Sequence, residues 1–454
     1  MSDAPRIMNS VADLKYWMEA GIKQPSEWRI GTEHEKFGFR SADLSPLPYD
    51  GPDGIRAMLE GLMKFGWQGK YEGDTLVGLV RAAQAGGGSV TLEPAGQLEL
   101  SGAPLENIHQ TCAEVSGHLK EVQAVAEGLG QSYMGLGYAP LWGLEDAPVM
   151  PKGRYRLMNR YMPKQGGRGL EMMYLTATVQ VNLDFGSEAD MVEKLRIALA
   201  LQPLATALFA NSPFKAGRPT GHVSERSLIW LDTDPARTGM LPFAFDDGFG
   251  FEQYVDYALD VPMYFIMRDG DFIDCLGMNF RDFMDGKLPA LPGEKPTEAD
   301  WEDHLTTVFP EARVKRFIEM RGADSGPWSS LCALPALWVG LLYDAATQSQ
   351  VAAYIADWSE EERDYLRGQA PKTGLDTPFR GGTLLDMAKD VLSLSAQGLK
   401  NRARMDGAGA DETIFLAYLQ QIVADGQSPA ARLVDKFNTA WDGDITRLYQ
   451  ETAF

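Results

Sequence analysis

The sequence predicts an α+β protein, strand-rich to about residue 330 and mostly helical from about 331 to 454. Two observations carry this. Strand-like runs with period-two alternation crowd the first part without the regular strand–helix succession of a doubly wound sheet, and apolar residues at three- and four-residue spacing dominate the second. With no repeat, low-complexity tract or flexible linker, residues 1–454 read as a single body. A boundary, if there is one, falls in the polar stretch 289–300.

Residues 28–40 (WRIGTEHEKFGFR) form the first strand, bounded by Gln24-Pro25-Ser26 and Asp43-Leu44-Ser45-Pro46. Alternation puts Glu33, Glu35, Phe37 and Phe39 on one face. Residues 89–101 read as two short strands around Pro94-Ala95-Gly96, with Gln97, Glu99 and Ser101 on a common face. Ile108, Cys112, Val115, Leu119, Val122, Ala126 and Leu129 make the stripe of an amphipathic helix, with Cys112 toward the core and His109 and His118 on the polar side. Residues 176–184 alternate cleanly, setting Thr178, Gln180, Asn182 and Asp184 opposite Ala177, Val179, Val181 and Leu183. Ser187 with Asp190, and Thr297 with Asp300, are helix N-cap signals. Asp269-Gly270 marks a hairpin turn. Residues 314–321 (VKRFIEMR) read as one strand with Lys315, Phe317, Glu319 and Arg321 on one face. The apolar stretches 197–210 and 331–343 fall short of the roughly 18 residues a membrane span needs and each holds a proline, so both read as buried helices.

Sixty-three acidic against 42 basic residues give a net charge of −21. That balance argues against nucleic acid, whose phosphates reward Lys/Arg excess, and against anionic membrane surfaces. Three cysteines, Cys112, Cys275 and Cys332, are too few for a disulfide framework, which makes a reducing compartment the default. Asp3, Arg6, Asp13, Lys15 and Glu19 interrupt any secretory apolar core, and a cytoplasmic protein is expected.

Three constellations bear chemistry. Glu33 and Glu35, about 7 Å apart on one strand face, suit hard cations or else belong to a solvated face; Phe37 and Phe39 beside them favour the former. Glu93 with Gln97 and Glu99 supplies oxygen ligands, or decorates a surface hairpin. Lys315, Glu319 and Arg321 combine a carboxylate for metal with a guanidinium for a phosphoryl group, or pair across an exposed strand. The runs Gly86-Gly87-Gly88 and Gly166-Gly167 lack the Gly-Lys-Ser/Thr of a P-loop, the five histidines have no zinc spacing, and no serine or cysteine sits on a nucleophile elbow. Carboxylates gathered on strand faces are held best by Mg²⁺, which usually arrives with nucleotide phosphates. The residues thus point to an ATP-using enzyme without a P-loop.

The strings IGTEHEKFGF (30–39), LEPAGQLELSGAPLENIHQTCAEV (92–115), PKGRY (151–155), TVQVNLDF (178–185), LQPLATALFANSPF (201–214), FGFEQYVDYALDVPMYF (249–265) and EMRGAD (319–324) resemble the glutamate–cysteine ligases of plant and proteobacterial type, from about Asn9 to the C-terminus. The resemblance implies a glutamine-synthetase-like catalytic fold with a curved antiparallel sheet and a largely helical C-terminal portion. It implies ATP-dependent joining of the γ-carboxylate of L-glutamate to the amine of L-cysteine through a γ-glutamyl phosphate, the first step of glutathione biosynthesis. Glu33, Glu35, Glu93, Glu99, Gln180 and Glu319 would then hold two or three Mg²⁺ ions, Gln180 standing where more distant ligases carry histidine. Arg321 and Glu35 would be catalytic, and Arg154, Arg226 and Tyr264 would bind substrate. The implied partners are small molecules only, on a monomer or homodimer. Cys112 and Cys332 match one regulatory disulfide pair of plant members, whereas the partner position of Cys275 is Ala290, so a second bridge is not expected. With no plastid extension before the catalytic body, the resemblance implies a bacterial cytoplasmic enzyme. The rivals are a γ-glutamyl ligase with another amine acceptor and an idle binding protein; the carboxylates and Arg321 speak against the second.

Overall fold

The computed structural model describes residues 6–454. At its centre lies a nine-stranded sheet, antiparallel throughout, formed by β1 (Ile30–Arg40), β2 (Gln68–Glu72), β3 (Thr75–Val80), β4 (Ser89–Leu92), β5 (Leu98–Ser101), β6 (Gln131–Met134), β7 (Thr178–Leu183), β8 (Ala312–Val314) and β9 (Ile318–Asp324). The order is β8–β9–β7–β1–β5–β4–β3–β2, with β6 pairing with the last four residues of β1. This is the mixed α+β architecture expected from the alternation.

Period-two patterning fixes which face is dry. Val179, Val181, Leu183, Leu98, Leu100 and Met320 are buried on one side, while Glu33, Glu35, Glu99 and Gln180 share the other. Helices α1 (Ile108–Leu129), α2 (Glu188–Leu208) and α5 (Trp328–Leu342) cover the apolar side, and the core they form runs from Met8 to Ile422. Helices α3 (Glu225–Trp230) and α4 (Glu298–Thr306) lie toward the polar side, and α6 (Leu384–Arg402) packs on α5. Asn107, Ser187 and Thr297 cap α1, α2 and α4 by accepting the N–H three residues on. The contact of α5 with α6 is made backbone to backbone. A Cβ on Gly398 would stand 1.8 Å from the carbonyl oxygen of Gly340, so only glycine permits this approach. Among the described residues no single helix is long and apolar enough to cross a membrane, and both apolar stretches are buried.

Three sequence readings are corrected or completed. Residues 314–321 are not one strand: Val314 pairs with Ile318, and Lys315, Arg316 and Phe317 turn the chain between β8 and β9. This turn holds no glycine, proline or asparagine, so period-two alternation continues through it unmarked. Lys315 nonetheless stays 3.8 Å from Glu319. His118 is not on a polar face. It lies three residues after Val115, on the apolar stripe of α1, is buried, and meets the ring of His34 at 5.8 Å. Cys112 and Cys332 form a disulfide joining α1 to α5, with Cα atoms 5.5 Å apart, while Cys275 is free and buried.

Candidate functional site

Pairing register assembles the polar face. Glu33 on β1 stands opposite Ser101 and Gln180, Glu35 opposite Glu99, and Glu99 opposite Thr91, whose hydroxyl donates to it. On the outer side Glu319 of β9 faces Asn182 of β7 and Arg313 of β8. A bulge in β9 between Met320 and Ala323 breaks the ladder at Arg321, whose Nη1 donates to Gln180 Oε1 at 2.7 Å and to Glu319.

At the end of this face opens a cavity of about 130 Å³ lined by Glu35, Glu93, Arg154, Gln180, Arg226 and Arg321. Six of the ten candidate residues thus meet in one pocket. Its less polar walls come from Tyr155, Met158, Met172, Trp230, Phe265 and Phe309. Thr178, on the polar strand face that the alternation marks, also lines it, as do Thr306 and Thr307, which no motif in the sequence marks. Arg226 is buried and donates from Nη2 to the Arg321 carbonyl at 3.0 Å. Arg154 donates to the Tyr155 hydroxyl at 3.1 Å and lies 3.8 Å from Glu93. In both arginines Nε is buried without a hydrogen-bond partner, a cost that an incoming anion would remove.

The remaining candidates lie beside the pocket or behind it. Glu33, Glu99 and Glu319 sit along the same face without lining the cavity. Tyr264 is not brought there: it is buried against Tyr161, at 5.0 Å between ring centroids, and under the guanidinium of Arg237. Its chain neighbour Phe265 reaches the cavity instead, because side chains alternate at the start of a strand. Gln97, by contrast, also lines the cavity, and it braces the loop before β5, accepting from Ala95 N–H and donating to the Thr176 carbonyl at 2.9 Å.

Electrostatics divides the carboxylates into two groups. Burial, with Glu319 and Glu99 nearby, pushes Glu33 up to about 7, against the pull of Lys315 and a hydrogen bond from Asn182. Burial, with Glu93 and Glu99, pushes Glu35 well above the usual carboxylate range, although Arg226 and the Thr178 N–H oppose this. Burial beside Glu93 raises Glu99 too. Among the described residues none of these three carboxylates has an ion-pair partner within 4 Å. Glu319 behaves oppositely. Burial alone would raise it, but Arg313, Arg321 and Lys315 hold it far below its ordinary value.

Buried Glu99 and half-buried Glu33 and Glu35, facing one another without an ion-pair partner, keep their charge most readily beside a cation, and an all-oxygen set fits Mg²⁺. Among the described residues no three such groups converge on one point, so ligation would draw these side chains together.

Residues 29–451 match the family described as glutamate-cysteine ligase family 2 (GCS2). The chain is 54% identical over 443 residues to a chloroplastic glutamate–cysteine ligase of Solanum lycopersicum, covering 97% of this chain and 82% of that one. It is equally similar to the chloroplastic ligase B of Oryza sativa subsp. japonica, with 97% and 87% covered. A solved Francisella tularensis glutamate–cysteine ligase in complex with AMP shares the fold at a TM-score of 0.54 and 14% identity, over 94% of this chain and 88% of that one. One expectation is overturned: relatives this similar are chloroplastic, so the cytoplasmic placement is not upheld.

Proposed function

The chain belongs to glutamate-cysteine ligase family 2, and we propose that the cavity beside β1, β7 and β9 is where its reaction takes place. The enzyme is an ATP-dependent ligase that joins glutamate to cysteine in the first step of glutathione synthesis. The observation that supports this placement is the pairing of opposites in one pocket: buried Arg226 and half-buried Arg154, each with a buried Nε that has no partner, next to the half-buried Glu35, which has no basic side chain within 4 Å.

A carboxylate does not react with an amine near neutral pH, so the γ-carboxylate of glutamate must first become an acyl phosphate. Arg226 and Arg154 offer planar donor forks that fit the oxygens of a substrate carboxylate. Arg321, aimed into the cavity by its bonds to Gln180 and Glu319, is placed for the phosphoryl group, whose transition-state charge spreads over its peripheral oxygens. Glu33, Glu35 and Glu99, with Glu93, Gln180 and Glu319 along the same face, would hold two or three Mg²⁺ ions. Mg²⁺ held there would supply positive charge to neutralise the ATP phosphates. The apolar walls at Trp230, Phe265 and Phe309 keep water from the mixed anhydride until the cysteine amine attacks and phosphate leaves. No covalent enzyme intermediate is required. We read residues 1–454 as one catalytic body, because the core beneath the site draws on residues from Met8 to Ile422.

The test is ADP release by the purified protein with glutamate and Mg²⁺-ATP while the amine is varied. Stimulation by cysteine beyond that by alanine-like amines is expected. Stimulation by another amine but not cysteine would overturn the acceptor.

A further inference from the structure

We propose that Arg313 is a positioning residue of the ligase site, tying the carboxylate of Glu319 to the pocket wall at 306–309. It sits on β8 directly across from Glu319 and is 6% exposed. Nε and Nη2 grip both oxygens of Glu319 at 2.7 to 3.0 Å. Nη1 points the other way and donates to the carbonyls of Thr306 and Val308, each at 3.0 Å. These carbonyls end and follow α4, where unpaired acceptors and the helix dipole favour a cation.

Both ends of this clamp lead to the cavity. Thr306, Thr307 and Phe309 line it directly. Glu319 holds Arg321, which lines it from the opposite side. Arg313 therefore fixes the distance between the wall and the guanidinium placed for the phosphoryl group, without touching either substrate itself. Only a guanidinium does this, since its planar fork binds a carboxylate while a third nitrogen reaches backbone carbonyls; a lysine ammonium presents its three donors from one atom.

The inference rests on the ligase reading above, and its test separates the two. Full-length wild type, Arg313→Lys and Arg321→Lys, with the double variant, are assayed with glutamate, cysteine and Mg²⁺-ATP, and backbone hydrogen exchange is followed at 305–309. Arg313→Lys is expected to lose about 10- to 100-fold in kcat, with a smaller rise in KM for glutamate. Exchange at 305–309 should quicken about tenfold while β1 and β7 keep their protection. The double variant should lose little more than the worse single, because Arg313 acts through Glu319 on the placement of Arg321. Additive losses, unchanged exchange at 305–309, or a lowered melting temperature with normal kcat would each overturn the role of Arg313. An inactive wild type would instead refute the ligase reading and leave the exchange result to judge the clamp. If Arg313→Lys does not fold, Glu319→Gln loosens the same clamp from its other end, and the same quickening at 305–309 is required.

Discussion

Replacing Glu33 by glutamine should make the metal-free protein more stable while impairing catalysis. The folded state holds the Glu33 proton up to about pH 7, against 4.5 as the reference, because burial and the neighbouring Glu319 and Glu99 disfavour the anion. A raised folded-state pKa means that stability is fully present below the unfolded value and is lost as pH rises through the folded one. At about 1.4 kcal/mol per tenfold change in proton affinity, the wild type is destabilised by up to about 3 kcal/mol at pH 8. Glutamine keeps an oxygen for the Asn182 Nδ2 donor, now 2.8 Å from Glu33 Oε1, and has no charge to bury. Urea unfolding in EDTA, followed by tryptophan fluorescence, should therefore show a gap in favour of Glu33→Gln of up to about 3 kcal/mol at pH 8, closing to within about 1 kcal/mol at pH 5. Adding Mg²⁺ should narrow the gap at pH 8, since binding to the folded state stabilises the carboxylate form more. A variant no more stable than wild type at pH 8, or a gap independent of pH, would refute the reasoning.

Other outcomes follow from the same geometry. Glu35→Gln, if turnover is measured at saturating substrates, should lose at least about 100-fold in kcat, and near-normal activity would remove Glu35 from the site. Arg321→Ala should fall by a similar or larger factor, and a kcat unchanged within twofold would mean that the guanidinium does not serve phosphoryl transfer. Arg226→Lys should raise KM for glutamate by about tenfold or more, because a point charge replaces a fork; an unchanged KM would place the substrate carboxylate elsewhere. Gly398→Ala should cost at least about 2 kcal/mol in unfolding free energy, since its Cβ would overlap the Gly340 carbonyl, without altering kcat per folded molecule.

The parts of this protein legible in its sequence are those where local periodicity and tertiary burial agree. Glu33 and Glu35 alternate with His34 and Lys36, and the strand's two faces follow directly from that. The stripe of α1 named its core residues, but His118 lies on the same stripe, and a polar residue type masked a buried position. Alternation ran straight through the turn at 315–317 because nothing in Lys315-Arg316-Phe317 breaks it. Arg313, just before that turn, was invisible for the same reason: its partner Glu319 looks distant along a continuous strand yet is directly opposite in a hairpin. Tyr264 and Phe265 show the limit of reading a string, since adjacent residues point to opposite sides and only pairing decides which reaches the cavity. The walls at Trp230, Thr306 and Phe309 come from segments with no shared pattern, brought together by tertiary packing alone.

The most direct test of the central claim, that the unpaired carboxylates of the sheet face hold the divalent ions, is Mn²⁺ binding in the presence of ATP followed by electron paramagnetic resonance. Wild type should bind two or three ions per chain, and Glu33→Gln and Glu35→Gln should each lose at least one or weaken it by about tenfold or more. Equal stoichiometry and affinity in all three proteins would contradict it.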